Sequence, residues 1–129
     1  MLSQNPTRQK IYIVDDDDSV RKALGRLIGS VRLNFESFAS GEAFLDCLPA
    51  NAEGCVILDM RMPGLTGHDV QERLRARGHN IPVIALSAQE DAEAQRRARE
   101  LGAVVFFRKP VDNQALIDAI HSALAQRAG

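Results

Sequence analysis

The sequence predicts an α/β domain: a parallel sheet of five strands in the order 2-1-3-4-5, doubly wound by five helices. Three observations carry this expectation. Five short apolar runs rich in β-branched residues alternate with stretches of helical periodicity. No hairpin signal joins any two of the runs, so consecutive strands need crossovers, and right-handed crossovers restrict the topology to a few doubly wound orders. Four of the runs also end in residues able to do chemistry, at Asp15-Asp16, Asp59, Ser87 and Lys109.

After a polar lead of about ten residues expected to fray, Ile11-Tyr12-Ile13-Val14 reads as a strand buried on both faces. It runs into Asp15-Asp16-Asp17-Asp18. From Ser19 the period changes, and Val20, Leu24, Leu27, Ile28 and Val31 form the apolar stripe of a first helix. Asp17, Asp18 or Ser19 is suited to cap that helix, where negative charge is favourable. Asn34-Phe35-Glu36-Ser37-Phe38 is less apolar, as an edge strand would be. Ser40-Gly41 opens a second helix with Phe44, Leu45 and Leu48 inward, and Pro49 stops it.

The central run Cys55-Val56-Ile57-Leu58 ends at Asp59, and Pro63-Gly64 with Gly67 shapes the loop into a third helix carrying Val70 and Leu74 and ending near Gly78. Pro82-Val83-Ile84-Ala85-Leu86 is the fourth strand, with Ser87 at its end. The fourth helix, about residues 90–101, has inward positions only at Ala94, Ala98 and Leu101 and is expected to be the least firmly packed. Ala103-Val104-Val105-Phe106-Phe107 follows and ends at Arg108-Lys109-Pro110. The last helix, from about Asn113, places Leu116, Ile117, Ile120 and Leu124 on one face.

A chain of 129 residues is near the commonest size for one domain and buries about two thirds of its unfolded surface. A single domain over 1–129, with a core of about 10–126, is expected. Hydrophobic residues at 45% and charged residues at 26% fit an ordinary globular protein, and a net charge of −1 gives no general attraction to nucleic acid or an anionic membrane. No stretch approaches a membrane span and the polar start lacks the apolar core of a signal peptide, so a cytoplasmic location is expected. Cys47 and Cys55 read as buried, reduced thiols. His68, His79 and His121 read as surface or helix-flank residues. The runs Arg73-Arg75-Arg77 and Arg96-Arg97-Arg99 are interleaved with Glu72, Glu93 and Glu100. They read as a solvated, ion-paired face, with Glu93 and Arg97 at i,i+4 spacing, rather than as a nucleic-acid site.

In the expected topology the carboxyl edge of the sheet gathers Asp15, Asp16, Asp59, Ser87 and Lys109 at the point where strand order reverses. Two carboxylates about 4 Å apart repel by roughly 4 kcal/mol at an effective dielectric near 20. Three call for a cation, and an all-oxygen set favours a hard divalent ion, most simply Mg2+. Carboxylates, a hydroxyl and a lysine around Mg2+ suit phosphoryl transfer, which needs charge neutralisation and a positioned nucleophile. Asp59 would attack phosphorus to form an acyl phosphate, while Lys109 and Ser87 contact phosphate oxygens.

From about Lys10 to Gln126 the chain resembles the receiver domain of bacterial two-component response regulators. The matching motifs are Ile13-Val14-Asp15-Asp16, Leu58-Asp59-Met60-Arg61-Met62-Pro63-Gly64-Leu65-Thr66-Gly67, Leu86-Ser87-Ala88 and Phe107-Arg108-Lys109-Pro110. The spelling around Asp59, with residues 106–112, is similar to receivers that precede helix-turn-helix transcriptional domains. The resemblance implies a flavodoxin-like fold, Asp59 as phosphoacceptor, and Asp16 and Asp59 as direct metal ligands. Asp15 would act largely through water, and the Arg61 carbonyl would complete the ligands. It further implies Ser87, Ala88 and Lys109 as phosphate contacts, Ser87 and Phe106 as the switch pair, and a cis Lys109-Pro110 bond. Arg61 and Gln89 would flank the phosphate.

The implied function is a phosphorylation switch served by a sensor histidine kinase or phosphotransfer protein. It would alter the face made by the fourth helix, fifth strand and fifth helix, and lead to homodimerisation or a partner contact, with no direct contact to nucleic acid or membrane. Two alternatives remain open. Asp16-Asp17-Asp18-Ser19-Val20 superficially fits the signature of a haloacid-dehalogenase-type phosphatase with Asp16 as nucleophile, and the fold also suits a binding module that works without phosphorylation.

Overall fold

The computed structural model describes residues 9–89 and 91–128, with side chains to residue 125. The chain alternates β1 (Gln9–Val14), α1 (Asp18–Ser30), β2 (Phe35–Phe38), α2 (Gly41–Cys47), β3 (Glu53–Asp59), α3 (Gly67–Ala76), β4 (Val83–Ser87), α4 (Ala92–Glu100), β5 (Ala103–Arg108) and α5 (Asn113–Ala128). All pairings are parallel and the order is β2-β1-β3-β4-β5. This is the doubly wound arrangement that the alternating pattern predicts. Most of the polar lead, and Glu90, lie outside the described residues.

Alternate side chains of the central strands feed two cores. Ile11, Ile13, Ile57, Ile84 and Leu86 pack with α1 and α5. Val14, Val56, Leu58 and Ala85 pack on the opposite face, which α2, α3 and α4 cover. On that second face the Phe44 ring lies 5.6 Å from the rings of both Tyr12 and Phe38, tilted to each. At Gly54, φ is +130° and an added Cβ would lie 1.9 Å from the Lys10 carbonyl oxygen, so β1 and β3 approach there as only glycine allows.

Caps set the helix starts. Asp17 is the N-cap of α1, its carboxylate accepting from the Ser19 and Val20 N–H groups at 2.8 and 3.3 Å. Thr66 and Asp69 form a reciprocal capping box on α3, and Asp91 caps α4. Ser40 caps α2, which ends at Cys47, before Pro49.

Several expectations need correction. Cys47 is exposed, because the inward positions of its short helix are Phe44, Leu45 and then Leu48. Cys55 is buried as expected, and burial pushes its thiol up to about 12, leaving it inert. Glu93 pairs with Arg96 rather than Arg97; Arg96 also pairs with Glu100, and Arg97 reaches Glu72 on α3 at 2.8 Å. His68 is half-buried, with Nε2 3.1 Å from the Ala94 carbonyl oxygen. The fourth helix starts at Ala92, and Ala98 is its one fully buried residue.

Candidate functional site

Strand pairing delivers the site. β1 and β3 lie side by side, so Asp15, immediately after β1, and Asp59, the last residue of β3, emerge together at the carboxyl edge. Three backbone bonds stitch that edge: Asp15 N–H to the Phe38 carbonyl (3.1 Å), Met60 N–H to the Leu86 carbonyl (2.9 Å), and Lys109 N–H to the Ser87 carbonyl (2.7 Å). The Lys109-Pro110 peptide is cis.

Carboxylate oxygens of Asp15, Asp16 and Asp59 all lie within 4.8 Å of one another. Asp15 and Asp59 are 1% and 4% exposed, whereas Asp16 faces solvent. Lys109 Nζ reaches into this cluster, 2.9 Å from Asp15 Oδ2 and 3.5 Å from Asp59 Oδ1. Backbone donors steer the carboxylates as well: Asp17 N–H donates to Asp15 Oδ1 (2.9 Å), the oxygen turned away from Lys109, and Arg61 N–H donates to Asp59 Oδ1 (3.2 Å), the oxygen that also faces Lys109.

Burial, and then the neighbouring Asp15 charge, raise the Asp59 carboxyl from 3.8 to about 6, against the opposing pull of the Arg61 N–H and Lys109. Burial works against the Lys109 charge, but the hydrogen bond and charge of Asp15, together with Asp59, outweigh it and hold its pKa above the usual lysine value. One ammonium thus faces three carboxylates of hard oxygen donors, with no thiolate or imidazole among them. This donor set fits a hard divalent cation.

Ser87 is 5% exposed and its Oγ accepts from the Gln89 N–H at 3.2 Å. Ala88 and Gln89 follow on the exposed loop. A cleft of about 510 Å³ opens beside the acids, lined by Met60, Arg61, Thr66, Ser87, Gln89 and Ala94 among others. Phe106 is half-buried and pairs in register with Ala85, two residues before Ser87. Asp17 and Asp18 take no part in the cluster: one caps α1 and the other pairs with Arg21.

Sequence reasoning missed Arg21 altogether and read Gly67 only as shaping the loop into α3. Arg21 donates from Nη1 to the Asp15 carbonyl at 2.7 Å, tying α1 to the strand end, and no motif marks it. Gly67 lets α3 start against β3: an added Cβ would lie 2.6 Å from Met60 Sδ and 2.9 Å from the Asp59 carbonyl oxygen. Its place eight residues after Asp59 in a Pro-Gly loop was the available signal.

Doubly wound α/β proteins bind their ligands at the topological switch point, and it is there that this chain gathers its acids and its lysine. A family model of the response regulator receiver domain matches residues 11–121. Response regulator protein TodT of Pseudomonas putida is 44% identical over 114 residues, which cover 88% of this chain and 50% of TodT. Transcriptional regulatory protein FixJ of Bradyrhizobium diazoefficiens is 37% identical over 120 residues, covering 93% and 58% respectively. The crystal structure of FixJ-N superposes with a TM-score of 0.85 at 31% identity, covering 95% of each chain. Response regulator StyR gives a TM-score of 0.88 at 39% identity over 93% of this chain and 61% of that one. The chain therefore belongs to the response regulator receiver family, the signalling domains of two-component systems. It spans about half the length of TodT.

Proposed function

We propose that Asp59 is the phosphoacceptor of a signalling switch. One Asp59 carboxylate oxygen attacks the phosphorus of a phosphohistidine on a sensor histidine kinase or phosphotransfer protein. The P–N bond breaks, its electron pair returns to the imidazole nitrogen, and an acyl phosphate remains. The observation that carries this reading is Lys109 Nζ lying between Asp15 and Asp59, at 2.9 and 3.5 Å, within a cluster of three carboxylates.

Asp16 and Asp59, the Arg61 carbonyl and, through water, Asp15 would hold Mg2+, which when bound neutralises charge on the transferring group. Lys109, the Ser87 hydroxyl and the backbone at Ala88 would receive the phosphate oxygens. Recruitment of Ser87 would change the packing of Phe106 and alter the α4/β5/α5 face, with homodimerisation or a partner contact as output. The chain acts here as a single receiver unit in the cytoplasm without touching nucleic acid or membrane itself; no helix among the described residues is long and apolar enough to cross a membrane. Self-dephosphorylation would be its one catalytic act. The phosphatase alternative loses support because Asp18, needed beside Asp16 in that signature, pairs with Arg21.

Treatment with acetyl phosphate and Mg2+, followed by intact-mass measurement, tests the reading. Addition of one phosphoryl group to the parent protein and to Asp16→Ala at any level, with none on Asp59→Ala, is expected. Label surviving in Asp59→Ala overturns it.

A further inference from the structure

The attachment of α4 is unusual in kind. A helix leaves its last four carbonyls without intrahelical partners, and those buried at its end must find donors elsewhere. In α4 these belong to Arg97, Ala98, Arg99 and Glu100. The chain itself supplies two donors: Leu101 N–H to Arg97 O at 3.0 Å and Gly102 N–H to Arg99 O at 3.1 Å. The other two come from α3. Gln71 Nε2 donates to Ala98 O at 2.8 Å, and an Arg75 guanidinium nitrogen to Glu100 O at 3.1 Å.

Gln71 is 1% exposed, and its Oε1 is sealed from solvent with no partner among the described residues. A buried orphan acceptor is unfavourable, so the side chain is held in place by what its amide N–H₂ does for Ala98. The other α3–α4 polar ties are of a different standing. His68 Nε2 meets Ala94 O, which lies inside the helix where the Ala98 N–H also reaches it. The Arg97–Glu72 pair is half-exposed on both sides.

We propose that Gln71 and Arg75 are positioning residues: they complete the C-terminal cap of α4 from the neighbouring helix and make that end a fixed pivot. The opposite end, from Asp91 to Ala94, borders the same cleft as Ser87 and Gln89 and is the more weakly held, its tie to α3 being the His68 ring on an Ala94 carbonyl that keeps its intrahelical donor. Displacing it leaves no main-chain group orphaned. Displacing the far end strips partners from two carbonyls, one of them on a fully buried residue. The pivot stands on the geometry alone; that Asp59 chemistry drives the motion rests on the function proposed above.

Residue-resolved amide hydrogen exchange on the full chain tests this. In the unphosphorylated protein the Leu101 and Gly102 amides are expected to exchange about tenfold more slowly than that of Gln95 near the other end. Gln71→Met, equal in length but without a donor, is expected to speed Leu101 and Gly102 by about tenfold and to leave Leu116 in α5 unchanged. Arg75→Ala, at an exposed position, is expected to give a smaller acceleration confined to the same two amides, and it serves if Gln71→Met does not fold. After acetyl phosphate and Mg2+, Gln95 speeds up while Leu101 holds. Unchanged exchange at Leu101 and Gly102 in the variants, or an acceleration equally spread over α4 and α5, overturns the pivot. The variant comparison is made without phosphate, so it is independent of whether Asp59 takes a label, which the mass measurement reports separately.

Discussion

Two helices flank β5, and they are attached in opposite ways. α5 buries Leu116, Ile117, Ile120, Ala123 and Leu124 against the sheet, whereas α4 buries only Ala98 and relies on side chains of α3 that grip its main chain. Apolar burial is non-directional and grows with area, so α5 resists every displacement. A few directed bonds resist only particular displacements. The difference separates a fixed wall of the domain from an element whose position depends on how a small number of polar groups are satisfied, beside a cluster of carboxylates in electrostatic tension.

The largest expected effect breaks the wall. Ile120→Ala, at a fully buried position, is expected to lower unfolding free energy by about 2–5 kcal/mol in urea titration. A loss no greater than that of an exposed substitution would erase the contrast between the helices.

Next comes the charge cluster. In chelator, the raised Asp59 carboxyl makes the folded state hold its proton more tightly than the unfolded chain does. The stability this contributes is complete below pH 3.8 and is lost as pH rises through about 6. Asp59→Asn is therefore expected to gain about 1–3 kcal/mol at pH 7 and nothing below pH 3.8, read from urea midpoints at the two pH values. A gain equal at both would place its origin outside titration.

Mg2+ sharpens the same point. At a free concentration tenfold above its Kd it is expected to stabilise the protein by about 1.4 kcal/mol, seen as a higher Tm, and Asp59→Asn should remove most of that increment. The smallest effect is Arg97→Ala, expected to cost about 0–1 kcal/mol because its pair with Glu72 is half-exposed. A larger loss would mean that α4 is held by surface charge, not by its cap.

The sheet edge was legible because its residues end apolar runs: Asp15, Asp59, Ser87 and Lys109 each follow strand-like segments, and parallel pairing does the rest. Thin packing of α4 was legible for the same reason, from the spacing of Ala94, Ala98 and Leu101. The polar ties were not. Gln71 occupies a position on α3 that looks solvent-facing by type, and its role depends on which carbonyl of another helix lies opposite, which no local pattern encodes. Glu93 chose Arg96 over Arg97 because Arg97 faces α3, again a matter of neighbours. Cys47 misled because an apolar segment on a short helix still has a wet side.

Gly67 leaves no room for a methyl group between the start of α3 and the strand that carries Asp59. Tolerance to mutation at that position should consequently be nil in any screen that reads signalling, even though the residue touches no ligand and carries no functional group. A side chain there would have to push β3 and α3 apart, whereas the exposed Arg61 and Gln89 at the cleft can be exchanged without moving either element.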